Sequence, residues 1–171
     1  MDRKTASLVI AAALLGGCGH GSDSGSAASA SAIARVGNPA PDWTEPSIPG
    51  PTLSLASLRG KPVYLNFFAT WCPPCVEEAP SIDALARAYA PRGAAVVGVD
   101  VLESARKAAE FRASRHLSYP IVTDTGTLRR QYEVNGLPVH VFIDRAGVVR
   151  KIIVGELSPA SMRANLESLL R

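Results

Sequence analysis

Residues 63–75 read VYLNFFATWCPPC and contain both a strand signal and a pair of cysteines. The first six residues, 63–68, are almost continuously apolar, which is typical of a strand that is buried on both faces. A helix is predicted from Pro74 to about Tyr89, because apolar residues recur there at spacings of three and four. Cys72 and Cys75 are therefore predicted to lie where a central strand gives way to a helix.

This position suits thiol chemistry. The unpaired N–H groups and the dipole at a helix N-terminus stabilise a thiolate, which is the nucleophile in disulfide exchange. Two alternatives remain, a structural disulfide and a metal site. A disulfide between Cys72 and Cys75 closes a short ring and stabilises the fold little. A zinc site needs two more ligands, for which only His116 and His140 are candidates in the folded region. A redox role is favoured.

Outward from this motif the chain alternates strands and helices. Periodicity predicts strands at 53–55, 63–68, 94–101, 121–123, 139–143 and 148–154, and helices at 74–89, 104–116, 128–132 and 158–170. The five prolines of residues 37–51 predict irregular chain there. The order indicates an α/β fold, with a central mixed β-sheet flanked by helices on both faces.

Length and charge limit the function classes. With 171 residues the chain is long enough for one domain with a proper core. The net charge is +3, from 18 basic and 15 acidic residues without a basic run, which argues against nucleic acid as a partner. No stretch reaches the roughly 18 apolar residues of a membrane-spanning helix.

The N-terminal segment predicts export. Residues 1–17 have a short basic start, an apolar run and small residues, the pattern of a signal peptide. Leu15-Gly16-Gly17-Cys18 resembles the lipobox of bacterial lipoproteins, which implies cleavage before Cys18, lipidation of that thiol and a stable membrane anchor. The alternative is an ordinary signal peptide. Residues 18–36, rich in Gly, Ser and Ala, are predicted to form a flexible linker to a folded domain at 37–171.

The folded region resembles the extracytoplasmic TlpA/ResA-like branch of thioredoxin-fold proteins. Trp71-Cys72-Pro73-Pro74-Cys75 is similar to the active-site motif, and Pro80 stands where that fold kinks its helix. Gly136-Leu137-Pro138 resembles the cis-proline loop. Further similar segments are Val36-Gly37-Asn38-Pro39-Ala40-Pro41-Asp42, Leu65-Asn66-Phe67-Phe68-Ala69-Thr70-Trp71 and Phe142-Ile143-Asp144. The resemblance implies a thioredoxin-like domain over residues 37–171.

The resemblance implies a two-thiol mechanism. Cys72 is expected to be the exposed nucleophile that forms a mixed disulfide with a client, and Cys75 the buried thiol that resolves it. These roles make Cys72–Cys75 a redox-active disulfide. The residues expected to contact the client are Trp71, Pro73, Pro74, Leu137 and Pro138.

The resemblance also implies a base. Thioredoxin has a buried Asp where this chain has Asn66, which does not ionise. The TlpA/ResA-like branch tends to have a Glu three residues after the second Cys, so Glu78 is expected to take the proton of Cys75, unless it only complements the helix dipole. Glu103 is either a weaker helper or, as favoured, a solvated residue before a helix. His140 either titrates near the thiols or, as favoured, is a satisfied strand histidine.

The predicted function is that of a membrane-tethered thiol-disulfide oxidoreductase facing the periplasm of a bacterial cell envelope. It is expected to act as a monomer without cofactor or metal, to reduce clients such as apocytochrome c, and to be recharged by a membrane-embedded thiol donor. Pro73 and Pro74 lack N–H groups that could stabilise the Cys72 thiolate, which favours a reductant. The alternatives are a disulfide oxidant or isomerase, a redoxin-type peroxidase, and a metal carrier that uses Cys72, Cys75 and His140.

Overall fold

The computed structural model describes residues 32–171. The predicted signal peptide, Cys18 and most of the predicted linker lie outside the described residues. The strands are β1 Thr44–Ile48, β2 Thr52–Ser54, β3 Val63–Phe68, β4 Ala95–Val101, β5 Ile121–Asp124, β6 Val139–Ile143 and β7 Val149–Val154. The helices are α1 Pro73–Tyr89, α2 Ala105–Ser114, α3 Thr127–Gln131 and α4 Pro159–Ser168. Within residues 32–171 no helix is both long and apolar enough to span a bilayer.

One mixed sheet organises these elements. Its strand order is β2-β1-β5-β4-β3-β6-β7. Strands β3, β4 and β5 run parallel, whereas β1, β2, β6 and β7 join them through antiparallel pairs. Because β3 is hydrogen-bonded on both sides, by β4 and β6, the loop that follows it emerges from the middle of the sheet. The predicted mixed sheet is confirmed.

Side-chain alternation along β3 separates two cores. Tyr64 and Phe68 belong to a cluster with the apolar faces of α1, α2 and α4, which contribute Ile82, Phe111 and Met162 among others. Leu65 and Phe67 belong to a second cluster, to which α3 contributes Leu128. Successive residues of a strand face opposite sides of a sheet. Helices therefore cover both faces, as predicted, and α1 lies on the face of Tyr64.

The start of the domain differs from the prediction. Residues 37–51 are not wholly irregular, because β1 pairs with β2 and β5. The strand was missed because polar residues fill its buried positions, Glu45 and Ser47, so the apolar alternation is absent. The linker is also shorter than predicted: Ala34 is buried and its N–H donates to the carbonyl of Gln131 at 2.7 Å, so packing begins by residue 34.

Candidate active site

The two cysteines are joined by a disulfide at the start of α1, with their Cα atoms 5.3 Å apart. Cys72 is the N-cap residue and the helix begins at Pro73, one residue earlier than predicted. Pro73 and Pro74 occupy the first two helical positions, and proline has no backbone N–H to donate. The first helical N–H beyond the N-cap therefore belongs to Cys75. The N-terminus of α1 thus offers fewer backbone donors to a thiolate than an ordinary helix does.

Exposure does not distinguish the two thiols in the disulfide form. Cys72 was expected to be exposed, but its exposed fraction is 4%, close to the 2% of Cys75. The bond to the buried Cys75 sulfur holds the Cys72 side chain inside the protein. The neighbouring Trp71 is 68% exposed and projects from the same loop. The position of Cys72 at the helix N-cap, rather than its accessibility here, makes it the candidate nucleophile.

The cis-proline loop lies beside the cysteines. The Leu137–Pro138 peptide bond is cis, as the resemblance implied. Leu137 packs against the cluster that contains Cys72 and Cys75, and the N–H of Gly155 donates to the Pro138 carbonyl at 2.8 Å. A cleft of about 250 Å³ opens between this loop and the cysteine loop, and its lining includes Trp71, Leu102, Arg129 and Leu137.

Glu78 lies one turn along α1 from Cys75, and both side chains are buried. Residues three apart share a helix face, so the carboxyl is on the side of the resolving thiol. Its Oε1 accepts the N–H of Leu157 at 2.5 Å, whereas Oε2 makes no hydrogen bond of ordinary geometry within residues 32–171. Burial raises the pKa of Glu78 to about 7, against the lowering effect of the Leu157 N–H. A carboxyl with this pKa is suited to exchange a proton near neutral pH.

His140 is fully buried on the same face of the sheet. Its Nδ1 is 2.8 Å from the Tyr64 hydroxyl, and its Nε2 is 3.1 Å from the Gly155 carbonyl and 3.5 Å from Glu78 Oε2. Burial lowers the pKa of His140 to about 4, so the imidazole is neutral at physiological pH. The lowered pKa argues against titration between pH 5 and 8, and both ring nitrogens have hydrogen-bonding partners, as expected of a satisfied strand histidine. Asn66 Nδ2 lies 3.4 Å from the same Nδ1.

Glu103 is not a solvated residue before α2. Its side chain is 3% exposed and accepts the Thr70 N–H at 2.5 Å and the Thr70 hydroxyl at 2.9 Å. Although burial disfavours its charge, the bonds from Thr70 hold the pKa of Glu103 below its ordinary value. This carboxylate fixes the loop that leads into Cys72. The expectation of a solvated Glu103 failed because the loop after β4 folds under the cysteine loop, a tertiary contact with no local signal.

Asp100 is a buried acid that sequence reasoning missed. Neither carboxyl oxygen accepts a hydrogen bond from any donor in the described part of the chain. Burial, together with the nearby charge of Glu103, raises the pKa of Asp100 to about 8. The charge of Glu103 disfavours a second charge beside it, so Asp100, with the raised pKa, is the carboxyl of the two that keeps its proton, and Glu103 is the one that is ionised. The available signal was an Asp inside the apolar strand segment at 94–101.

A disulfide at the start of the helix that follows a central strand, with a cis-proline loop beside it and a buried carboxyl one turn along the helix, defines a thiol-disulfide oxidoreductase of the thioredoxin class. The AhpC/TSA family model matches residues 36–152. The thiol-disulfide oxidoreductase ResA of Geobacillus thermodenitrificans is 36% identical over 135 residues, which are 78% of each chain.

Solved structures show the same likeness. A thioredoxin-family thiol:disulfide interchange protein from Chlorobium tepidum superposes with a TM-score of 0.74 at 34% identity, over 82% of this chain and 100% of that one. An exposed lipoprotein thioredoxin from Streptococcus pneumoniae gives 0.68 at 26% identity, over 75% of this chain and 99% of that one. The chain belongs to the AhpC/TSA family, in its TlpA/ResA-like, thioredoxin-fold branch. It is a thiol-disulfide oxidoreductase.

Proposed function

We propose that this oxidoreductase works in the reducing direction on disulfides of extracytoplasmic client proteins. The observation that carries the proposal is the pair of prolines at the first two positions of α1. Without their N–H groups the Cys72 thiolate has fewer donors, so the reduced form is less stable and the pair gives up electrons more readily. Disulfide oxidants have the opposite property, a strongly stabilised thiolate.

The reaction proceeds by two exchanges. The Cys72 thiolate attacks one sulfur of the client disulfide, forms a mixed disulfide and releases the other client sulfur as a thiolate. Cys75 then passes its proton to the Glu78 carboxylate and attacks the Cys72 sulfur. The Cys72–Cys75 disulfide forms, and the second client thiolate leaves. Two electrons pass from the protein to the client, and a thiol donor must return them.

The test is the reduction potential of the Cys72–Cys75 pair, titrated against a dithiothreitol buffer. The expected value lies near or below about −250 mV, on the thioredoxin side of the range. A Pro73→Gly variant restores one backbone donor and is expected to have a less negative potential than the parent. A parent value between about −120 and −180 mV would overturn the direction and favour the oxidant or isomerase instead.

The proposed setting is the periplasm-facing surface of a membrane in a bacterial cell envelope, with Cys18 carrying the lipid. The signal-like N-terminus supports this setting, and the pneumococcal relative is described as an exposed lipoprotein. Clients such as apocytochrome c and a membrane-embedded thiol donor then share the compartment with the dithiol. Cell fractionation of a Cys18→Ser variant tests the anchor: the variant is expected to leave the membrane fraction, and its retention there would contradict lipidation.

The geometry of the site gives less support to the peroxidase and metal-carrier functions. The Thr70 hydroxyl, which a peroxidase could direct at a substrate, instead donates to Glu103. Both ring nitrogens of His140 lie within hydrogen-bonding distance of Tyr64 and Gly155, so neither is free for a metal. No group of three or more His, Cys, Asp or Glu side chains within residues 32–171 is arranged to hold a metal ion.

A further inference from the structure

Each carboxyl oxygen of Glu78 has one polar neighbour. The Leu157 N–H, from the loop before α4, donates to Oε1 at 2.5 Å. His140 Nε2, from β6, lies 3.5 Å from Oε2. No side chain other than His140 is close enough to form an ion pair with this carboxyl within the described residues. What this contact does to Glu78 depends on which ring nitrogen of His140 carries the proton.

The hydrogen bonds around His140 fix its tautomer. The Gly155 carbonyl, 3.1 Å from Nε2, can only accept, so Nε2 carries the proton. Nδ1 is then an acceptor, and the Tyr64 hydroxyl donates to it at 2.8 Å. Burial raises the pKa of Tyr64 well above its ordinary value, so that hydroxyl keeps its proton. The neutral imidazole thus donates its single Nε2–H to Gly155, and Glu78 Oε2 lies 3.5 Å from the same nitrogen without a hydrogen bond of ordinary geometry.

We propose that His140 is a positioning residue for Glu78: its Nε2–H, oriented by Tyr64, favours the carboxylate form of Glu78 and so sets how readily that carboxyl takes the proton of Cys75. The inference rests on the proposed role of Glu78 in the two-thiol reaction. A donated N–H stabilises a carboxylate more than a neutral acid. The 3.5 Å separation between Nε2 and Oε2 is expected to shorten when Glu78 ionises.

The other groups around Glu78 define the background against which His140 acts. Glu156, on the loop that carries Leu157, raises the pKa of Glu78 by its charge. An open cleft of about 530 Å³ is lined by Glu77, Glu78, Glu156 and the start of α4, and offers the proton a route to water. Cys75 and the neutral side chains of His140 and Tyr64 lie on the side of Glu78 that faces the protein interior. The His140 N–H is thus the side-chain donor on the side of Glu78 away from solvent.

The experiment follows the two thiols separately. Reduced protein is mixed with 5,5′-dithiobis(2-nitrobenzoic acid), an aromatic disulfide that releases a coloured thiolate at each exchange. The fast phase reports attack by Cys72, and the second phase reports attack by Cys75 on the mixed disulfide. Stopped-flow measurement from about pH 5 to pH 9 gives a pH midpoint for each phase. Thermal unfolding of every variant is recorded beside the rates.

Two polar substitutions separate the roles of the two ring nitrogens. His140→Gln places an amide N–H near the position of Nε2, whereas His140→Asn keeps an acceptor near Nδ1 but does not reach Glu78. We expect His140→Asn to raise the midpoint of the second phase by about 0.5–1 pH unit, and to slow that phase about three- to tenfold at pH 6. His140→Gln is expected to stay close to the parent. The Cys72 phase should change by less than about twofold in both.

Three results would overturn the proposal. The two variants could shift the second-phase midpoint equally, or neither could shift it. Alternatively, His140→Asn could produce the same shift in a Glu78→Gln background, where no carboxylate remains to be stabilised. If either His140 variant does not fold, Tyr64→Phe replaces it: removing the donor to Nδ1 is expected to shift the same midpoint upward by a smaller amount, and no shift contradicts the proposal. The reduction potential is measured separately, so a failure of the proposed reducing direction can be distinguished from a failure of the proposed role of His140.

Discussion

Two buried acidic clusters lie on either side of the cysteine loop, and they are built differently. On one side the Glu78 carboxyl has one oxygen bonded to a backbone N–H and the other in a loose contact with a neutral histidine. On the other side Glu103 accepts two short bonds from Thr70 and pairs with Lys107 at 3.4 Å, and its charge helps to raise the pKa of the nearby Asp100. Both clusters include a carboxyl with a raised pKa, and Glu78 is among the residues that line a solvent cleft.

The difference shows which cluster is suited to move a proton and which to hold the backbone. A base must change its charge without breaking the bonds that position it, and Glu78 has an oxygen left for that purpose. Charged Glu103 anchors the residue two positions before Cys72, so its protonation would weaken that anchor. The pKa values fit these two roles. The pKa of Glu78 is about 7, which suits a base, whereas the pKa of Glu103 lies below its ordinary value, which keeps that carboxylate charged.

The largest effect is expected from Glu78→Gln. The amide keeps the shape of the side chain but cannot accept the Cys75 proton. The second phase of the exchange with 5,5′-dithiobis(2-nitrobenzoic acid) is expected to slow about a hundredfold at pH 7, the contribution of a general base. The pH midpoint near 7 should also disappear from that phase. Glu77→Gln is the matched control, because Glu77 is the preceding residue on α1 but is exposed. Equal slowing in the two variants would contradict the role of Glu78.

Asp100→Asn is expected to change the pH dependence of stability. Native Asp100 keeps its proton up to about pH 8, whereas in the unfolded chain it loses the proton near its ordinary pKa of 3.8. Between these values the native state binds one more proton, so the free energy of unfolding falls as pH rises. Asn cannot ionise and keeps the size and shape of the side chain. Relative to the parent, Asp100→Asn should therefore gain about 2 kcal/mol between pH 5 and pH 7.

Urea unfolding at a series of pH values measures this difference. Subtracting the parent curve removes the contributions of the other shifted groups: Glu78, whose raised pKa gives a slope of the same sign, and His140, whose lowered pKa gives the opposite one. Glu110→Gln, at an exposed site on α2, is the control for loss of one negative charge. Parallel curves for the parent and Asp100→Asn would show that Asp100 is charged in the native protein.

The sequence predicted the framework because its signals are local. The apolar run of β3, the cysteine spacing and the apolar periodicity of α1 each depend on neighbours in the chain, and the structure confirms them. The cis bond before Pro138 came from a resemblance of motif rather than from physics. The segment with β1 was missed, since Glu45 and Ser47 become buried in a strand that pairs with β2 and β5, and those are tertiary contacts.

The polar contacts around the cysteines could not be predicted in the same way. Glu103 reaches Thr70 across 33 positions, and His140 reaches Tyr64 across 76. Nothing in the local pattern of either residue indicates such a partner. Asp100 is the instructive case: its apolar neighbours predicted a buried strand, and a buried acid needs either a proton or a donor. That argument could have predicted its raised pKa, but not the carboxyl that it faces.

The smallest effect is expected from Thr70→Val, which removes one hydroxyl from the loop cluster. Glu103 loses the bond at 2.9 Å but keeps the Thr70 N–H, so the free energy of unfolding should fall by only about 1 kcal/mol. Because the anchor is weakened rather than lost, both phases of the exchange reaction should stay within about twofold of the parent. Chemical denaturation and the same stopped-flow assay measure the two quantities. If Thr70→Val instead slowed the Cys75 phase as strongly as Glu78→Gln, the Glu103 cluster would take part in the proton transfer, and the separation between a cluster that moves a proton and a cluster that holds the loop would fail.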